Sequence, residues 1–241
     1  MATDPAAGRS GAFAGWKLAV AAALLGAGLG AGGMALGSGA LFRHYLLQHP
    51  EVIPEAMQRL QDREAARSVD SNRSAIETPF AGAWAGAKDA DVVLVEFFDY
   101  ACTYCRKSNP DVARLLAEDP KLKVVWRDWP VLGPDSEAAA HTSLAAAEQG
   151  KFKPFHDALF AEGRPTPDAV ERAARAAGVD PAAAAKLGAS PAATQELARN
   201  YQLANQLKAS GTPTFVVGDQ VLQGAVGYEA LKDAIAEARK G

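Results

Sequence analysis

Cys102-Thr103-Tyr104-Cys105 carries the chain's only two cysteines, and their spacing is that of a redox pair. They follow the apolar run Val92 to Val95 by way of Glu96-Phe97-Phe98-Asp99-Tyr100-Ala101. A buried strand that delivers Cys-x-x-Cys onto the first turn of a helix sets the leading sulfur against unpaired N–H groups and the positive end of the helix dipole. Both stabilise a thiolate. Cys102 is therefore expected to be the reactive thiol. Structural zinc takes four ligands, usually as two closely spaced pairs. Here there is no second cysteine pair, and His44, His49, His141 and His156 are scattered. A disulfide closing so short a loop constrains little of the unfolded ensemble and makes a poor staple. Strained and exposed, it suits thiol–disulfide exchange.

Two further features are expected beside the pair. Glu96 is the one carboxylate in the strand sequence Val92-Val93-Leu94-Val95-Glu96-Phe97-Phe98. Among apolar neighbours its pKa should rise, and beneath a Cys-x-x-Cys it can relay protons to Cys105. A solvated residue at a strand end is the alternative. Gly211-Thr212-Pro213 precedes a second strand, and a proline at the entry of a strand that must approach the cysteines is a candidate for a cis bond. A trans proline that merely starts the strand is the competing reading.

The elements that position these residues follow from pattern. Val92–Phe98 has the length and β-branched content of a strand buried on both faces. A helix starts near Cys102 and should kink at Pro110, and Leu122–Arg127 forms the next strand. From Asp135 to about Lys208 the pattern is helical. Thr166-Pro167, Asp180-Pro181 and Ser190-Pro191 each place a capping residue before a proline at the first helical position. His141 and His156, each alone on its helix, are read as packed or capping residues. Thr214-Phe215-Val216-Val217, a turn at Gly218-Asp219, and Gln220-Val221-Leu222-Gln223 make a hairpin, and Tyr228 to Lys240 forms the last helix.

The N-terminal part reads differently. Leu18 to Phe42 holds no charged residue. At ~1.5 Å per residue, a helix of that length could cross a hydrocarbon core of about 30 Å. Arg9 and Lys17 precede it and would keep the N-terminus in the cytoplasm. Ser38-Gly39-Ala40 has the small residues of a cleavage site, so an uncleaved anchor and a removed signal peptide both fit. The Gly26-x-x-x-Gly30 and Gly33-x-x-x-Gly37 spacings could let two such helices approach closely, or be incidental in a Gly-rich segment. Either topology puts the cysteines in an oxidising compartment. Leu41–Pro50 and Glu51–Leu60 read as two short helices broken at Pro50, with Leu41, Phe42, Tyr45, Leu46, Ile53, Met57 and Leu60 on apolar faces. This stalk cannot bury its own stripe; self-association or packing on the main domain would, and a simple solvated spacer is the remaining reading. The polar run Gln61 to Arg73 continues as helix, and a Gly/Ala-rich stretch to Gly86 reads as linker. The expected domains are thus 1–42, a membrane anchor or signal segment; 43–74, a helical stalk and possible oligomerisation region; and 75–241, the redox domain with its helical insertion at about 135–208.

With 241 residues and a net charge of −3, the chain can hold one sizeable core plus appendages. No basic cluster interleaved with aromatics points to nucleic acid. Abundant alanine predicts a mostly helical α/β protein with a small sheet.

The residues carry a family resemblance. A strand ending Glu-Phe-Phe, a Cys-x-x-Cys helix with proline five residues after the second cysteine, a long helical insertion, a Thr-Pro-Thr-Phe hairpin and a terminal helix resemble the DsbA-like thioredoxin-fold oxidoreductases, from about Val92 to the C-terminus. Val-Glu-Phe-Phe-Asp-Tyr, Gly133-Pro134-Asp135-Ser136 and Phe155-His156-Asp157-Ala158-Leu159-Phe160 resemble bacterial envelope members. The segment from Tyr45 to Ala56 is similar to the N-terminal region of ScsC-type members, which mediates oligomerisation in some of them. The resemblance implies a thioredoxin fold. It makes Cys102 the attacking sulfur, Cys105 the resolving one and Glu96 the buried acid, with Thr212-Pro213 as a cis-proline loop beside them. It implies no cofactor or metal, protein thiols and disulfides as substrates, and a membrane partner that recycles the pair. The best-known oxidases of the family carry Pro-His between the cysteines; Thr103-Tyr104 implies a higher thiol pKa and a weaker oxidant. Disulfide formation is the expected activity, with isomerase or reductase work of ScsC type the alternative. A Cu(I)-binding dithiol is a further alternative that no methionine cluster supports.

Overall fold

The computed structural model describes residues 39, 41–188 and 190–240. The expected membrane or signal segment, with its glycine spacings, therefore lies outside the described residues apart from Gly39, Leu41 and Phe42. No described helix is long and apolar enough to cross a membrane. Two compact units divide between Arg59 and Leu60.

In the first unit, residues 41–48 form α1. The chain breaks at Pro50, which has no N–H to donate and whose ring blocks a continuing helix. It re-enters helix at α2 (Val52–Glu77). At the break the His49 N–H donates to the Tyr45 carbonyl at 2.8 Å, and the Val52 N–H to that of His49 at 3.2 Å. Leu41, Phe42, Tyr45, Leu47, Ile53 and Met57 are all exposed.

The second unit is built on a five-stranded sheet of order β1-β3-β2-β4-β5: β1 (Trp84–Gly86), β2 (Val92–Phe98), β3 (Leu122–Asp128), β4 (Thr214–Val217) and β5 (Gln220–Gln223). Only the β2–β3 pair is parallel, and α3 (Thr103–Glu118) connects the two. The remaining pairs are antiparallel. Both sheet faces are covered. Alternate residues Leu94 and Phe98 of β2, Val124 and Trp126 of β3, and Phe215 and Val217 of β4 join a core shared with α3, the helical insertion and α9 (Tyr228–Ala238). Their neighbours Val95, Phe97, Val125 and Val216 face Val69 and Ile76 of α2 and Leu203 and Leu207, near the end of α8 (Pro191–Gln206). The period-2 pattern thus places Glu96 on the α3 face, in line with Leu94 and Phe98.

The insertion is five helices: α4 (Pro134–Glu148), α5 (Phe152–Glu162), α6 (Pro167–Ala177), α7 (Pro181–Gly188) and α8. All three capping positions start helices. Thr166 accepts the Ala169 N–H at 3.3 Å, and Asp180 accepts that of Ala182 at 2.9 Å. Ser190 makes no side-chain cap. α3 runs through Pro110 without ending.

Residues 60–74 of the stretch read as stalk fall in this unit, with Val69 fully buried. One stretch differs from the sequence reading. The expected linker contains β1. That strand is three residues long, too short to carry a period, and its Gly86 has φ +100°, where an added Cβ would collide with the Leu122 carbonyl oxygen.

Candidate active site

β2 ends at Phe98, and Asp99-Tyr100-Ala101 turn the chain into α3, whose N-cap is Cys102 in extended conformation (φ −75°, ψ 117°). The Cys105 N–H lies 3.4 Å from the Cys102 sulfur, the capping geometry expected from the sequence. Both cysteines are free thiols and buried, 6 % and 1 % exposed. The Cys102 thiol is pulled down to about 5. A hydrogen bond from the Cys105 thiol does most of this, helped by the Thr212 side chain and by the Cys105 and Tyr104 N–H groups, against the cost of burial. Cys105 moves the opposite way. Burial pushes it up, reinforced by its role as donor to Cys102 and by the Glu96 carboxylate. The pair's one proton therefore rests on Cys105.

The Thr212-Pro213 peptide bond is cis. The sheet register explains why this loop meets the cysteines. Thr214 pairs with Phe97 and Phe215 with Glu96, so the residues just before β4 lie over those just after β2. The Thr212 carbonyl oxygen sits 3.2 Å from the Cys102 sulfur and can accept its proton when Cys102 is protonated. The loop is held by the Thr214 hydroxyl donating to the Gly211 carbonyl at 2.7 Å and the Gly224 N–H donating to the Pro213 carbonyl at 2.8 Å.

Glu96 is 2 % exposed rather than solvated. Burial pushes its carboxyl up to about 8, against a hydrogen bond from the Trp126 indole; the nearby Cys102 charge adds to the rise. That indole N–H donates to Glu96 Oε2 at 3.0 Å from the directly paired position on β3. His156 is packed, as expected. Its ring lies among Phe98, Tyr100, Trp126, Phe152 and Phe160, and burial holds it neutral.

The sequence reading missed two residues at this end of the sheet. Trp126 is one, its indole N–H concealed within an apolar strand pattern. Asp99 is the other. Its Oδ1 accepts from the Ala101 N–H and the Ser136 hydroxyl, both at 2.7 Å, and its Oδ2 from the N–H groups of Val131 (2.8 Å) and Leu132 (3.0 Å). It thereby ties the turn before Cys102 to the loop after β3 and the start of α4. The only available signal was an acid between two aromatics just before the cysteines. Tyr104, Val131 and Leu132 are exposed. Among the described residues no group of three or more His, Cys, Asp or Glu could hold a metal ion.

Comparison with known proteins shows which family and fold this arrangement sits in. The family model described as a DSBA-like thioredoxin domain matches residues 93–236, and that of the copper resistance protein ScsC N-terminal domain matches residues 39–67. A thioredoxin-like oxidoreductase from Silicibacter pomeroyi is 40 % identical with a TM-score of 0.66, over 69 % of this chain and 96 % of that one. A linker-deletion variant of Proteus mirabilis ScsC is 28 % identical with a TM-score of 0.68, over 83 % and 92 %. The Na(+)/H(+) antiporter NhaA 3 of Salinispora tropica is 33 % identical over 156 residues, 64 % of this chain but 24 % of the antiporter. The chain thus spans about a quarter of the length of the first curated relatives it matches.

Proposed function

The chain belongs to the DSBA-like thioredoxin-domain family, and from that premise we propose that it is a thiol–disulfide oxidoreductase acting on proteins of the bacterial envelope through Cys102 and Cys105. The observation that carries the reading is the geometry at the start of α3, where Cys102 is the N-cap with the Cys105 N–H 3.4 Å from its sulfur, Cys105 lies buried behind it and the cis Thr212-Pro213 bond stands beside it; the same arrangement lowers Cys102 to about 5 and pushes Cys105 up. A pair that keeps its attacking sulfur ionised and its partner protonated is set for sequential exchange.

In the oxidising direction a client thiolate attacks Cys102 of the disulfide. The Cys102–Cys105 bond breaks, its electron pair leaves on Cys105, and that thiolate takes the proton held by Glu96. A second client thiolate then attacks the client sulfur of the mixed disulfide. This closes the client disulfide and expels Cys102 as a thiolate; the client is oxidised by two electrons and the pair reduced by two. Stabilising the Cys102 thiolate stabilises the reduced pair, which makes the disulfide the better oxidant. Disulfide formation is therefore the favoured direction, and it requires a membrane partner that reoxidises the pair. The half-buried Thr212, whose carbonyl lies 3.2 Å from the Cys102 sulfur, leads into the cis-proline loop and suits an extended client segment recognised through its backbone.

Equilibration of the pair with glutathione tests the direction. A potential toward the oxidising end, with rapid oxidation of a reduced dithiol peptide that is lost in Cys102→Ser, supports an oxidase; a potential near thioredoxin's overturns that direction. Alkylation should label Cys102 selectively, with a midpoint near pH 5, and equal labelling of both thiols in the folded protein would refute the assignment.

A second reading, isomerase or reductase work by an oligomer, is favoured by one observation. The exposed Leu41, Phe42, Tyr45, Leu47, Ile53 and Met57 lie in the segment that matches the ScsC N-terminal domain. Self-association of residues 41 to about 67 would cover them. Light scattering and reactivation of scrambled ribonuclease, with and without these residues, separate this reading from a monomeric oxidase. We place the redox unit in the periplasm, anchored by or released from the N-terminal segment.

A further inference from the structure

Resting on the redox reading above, we propose that Trp126 is a positioning residue for the proton step at Cys105: its indole N–H fixes the Glu96 carboxyl group that takes the Cys105 proton, and α5 holds the indole in place. Three observations support this. The contact is short, buried on both sides and made from the cross-strand partner position, Trp126 Nε1 to Glu96 Oε2 at 3.0 Å, so neither group can turn away without breaking sheet packing. The donor is neutral. An indole N–H orients a carboxylate without neutralising it, whereas a lysine or arginine in its place would keep the group ionised and unable to hold a proton. The indole itself is gripped from one element, with the Phe152 ring at 5.5 Å and the His156 ring at 5.1 Å, both from α5. Through this tryptophan α5 is linked to the Glu96 carboxyl group.

The groups around Glu96 keep the site simple. Cys102 and Cys105 act on it from the start of α3, Tyr100 from the preceding turn and Trp126 from β3, with His156 of α5 against the Trp126 ring, while the residue paired with it on β4 is Phe215. Tyr100 is pushed up and His156 down, so both stay neutral across the working range. Of this set, Cys102 near 5 and Glu96 near 8 are left to titrate between mild acid and mild base.

The test isolates one step. Cys102 is converted to its mixed disulfide with 5-thio-2-nitrobenzoate, and release of the aryl thiolate is followed by absorbance. Cys105 gives its proton to Glu96, its sulfur attacks the Cys102 sulfur, the Cys102–S(aryl) bond breaks and the electron pair leaves on the aryl thiolate. With Glu96 as acceptor the wild-type rate should rise with a midpoint at or somewhat below pH 8, since Cys102 carries no charge in the mixed disulfide, and Glu96→Gln should remove that midpoint. Trp126→Phe keeps the ring and drops the donor. A hydrogen bond to a charged group corresponds to about one to two pH units, so the midpoint should move up by at least about one unit and the rate at pH 7 fall about tenfold. The carboxyl C=O infrared band that Glu96→Gln removes should shift its titration by the same amount in Trp126→Phe, a readout independent of turnover. If the phenylalanine variant folds poorly, 3-benzothienylalanine at position 126 replaces N–H by sulfur at nearly constant shape. A normal midpoint in either donor-less variant, whatever its stability, overturns the role of Trp126 while leaving the oxidoreductase intact. Failure of the wild-type mixed disulfide to release aryl thiolate overturns the redox reading itself.

Discussion

Trp126 and Arg127 are neighbours on β3 that point to opposite faces of the sheet, and each meets a buried ionisable system that is handled in the opposite way. On the α2 and α8 face, Arg127 is 2 % exposed and saturated with partners. Its Nε donates to the Ile76 carbonyl at 2.8 Å. Nη1 donates to Glu196 at 3.1 Å and Asn200 at 2.8 Å, and Nη2 to the carbonyls of Thr78, at 2.6 Å, and Ala75. Three of these acceptors are carbonyls at or just past the end of α2, groups the helix cannot satisfy internally. On the α3 face, Glu96 meets a neutral donor and is left near its titration point. A fully paired buried charge fixes geometry; a thinly paired one moves protons.

Arg127→Met should show the first half of that contrast most strongly. It strands Glu196 and the α2 carbonyls, so denaturant unfolding should record a loss of about 3–5 kcal/mol, the usual result of removing one partner of a buried pair. The alkylation midpoint of Cys102 should stay near pH 5 in whatever fraction remains folded. A shift there would mean the two faces are coupled rather than separate.

Glu96→Gln probes the other half and should have the opposite sign in alkali. The folded carboxyl titrates near 8 against an ordinary 4.5, so the folded state holds its proton more tightly than the unfolded chain. The stability it contributes is fully present below pH 4.5 and is lost as pH rises toward 8. Glutamine cannot ionise. Relative to wild type, the variant should therefore gain on the order of a few kcal/mol between pH 4 and pH 9, measured by urea unfolding at both. Parallel curves would show that Glu96 titrates in the folded protein as it does in the unfolded chain.

Asn200→Ala comes next in size. Asn200 accepts from Arg127 and donates to the Asp128 carbonyl at 3.0 Å, so its removal leaves buried groups unmet and should cost about 1–3 kcal/mol. Arg73→Ala should matter least. Arg73, on the same helix that Arg127 caps, pairs with Glu77 of that helix and with Asp219 of the β4–β5 turn, but its side chain is 35 % exposed, and a loss of no more than about 1 kcal/mol is expected in thermal unfolding. A larger loss would place the anchoring of α2 at its surface pairs rather than at Arg127.

The features readable from sequence were those whose cause is local. The leading cysteine at a helix start, the capping residues Thr166 and Asp180, the apolar period of β2 and the proline before β4 each rest on a few consecutive residues. Glu96 was legible for the same reason, as one acid in an apolar strand. What escaped was set by partners far along the chain. Arg127 lies inside a recognised strand, but its acceptors come from residues 75–78 and 196–200. Trp126 reads as a core residue, and only the parallel register with β2 turns its indole toward Glu96. β1 is defined by pairing with β3 and by Gly86, and it has no pattern of its own.

Asp99, with its four donors, has an entropic consequence. Ordering backbone costs about 1–2 kcal/mol per residue at room temperature, and a binding loop that is loose before contact meets that cost when a partner arrives. The Val131 and Leu132 N–H groups are already tied to the Asp99 carboxylate, with their side chains facing solvent. A segment that docked on this rim would lose its own freedom and cost its host little further ordering.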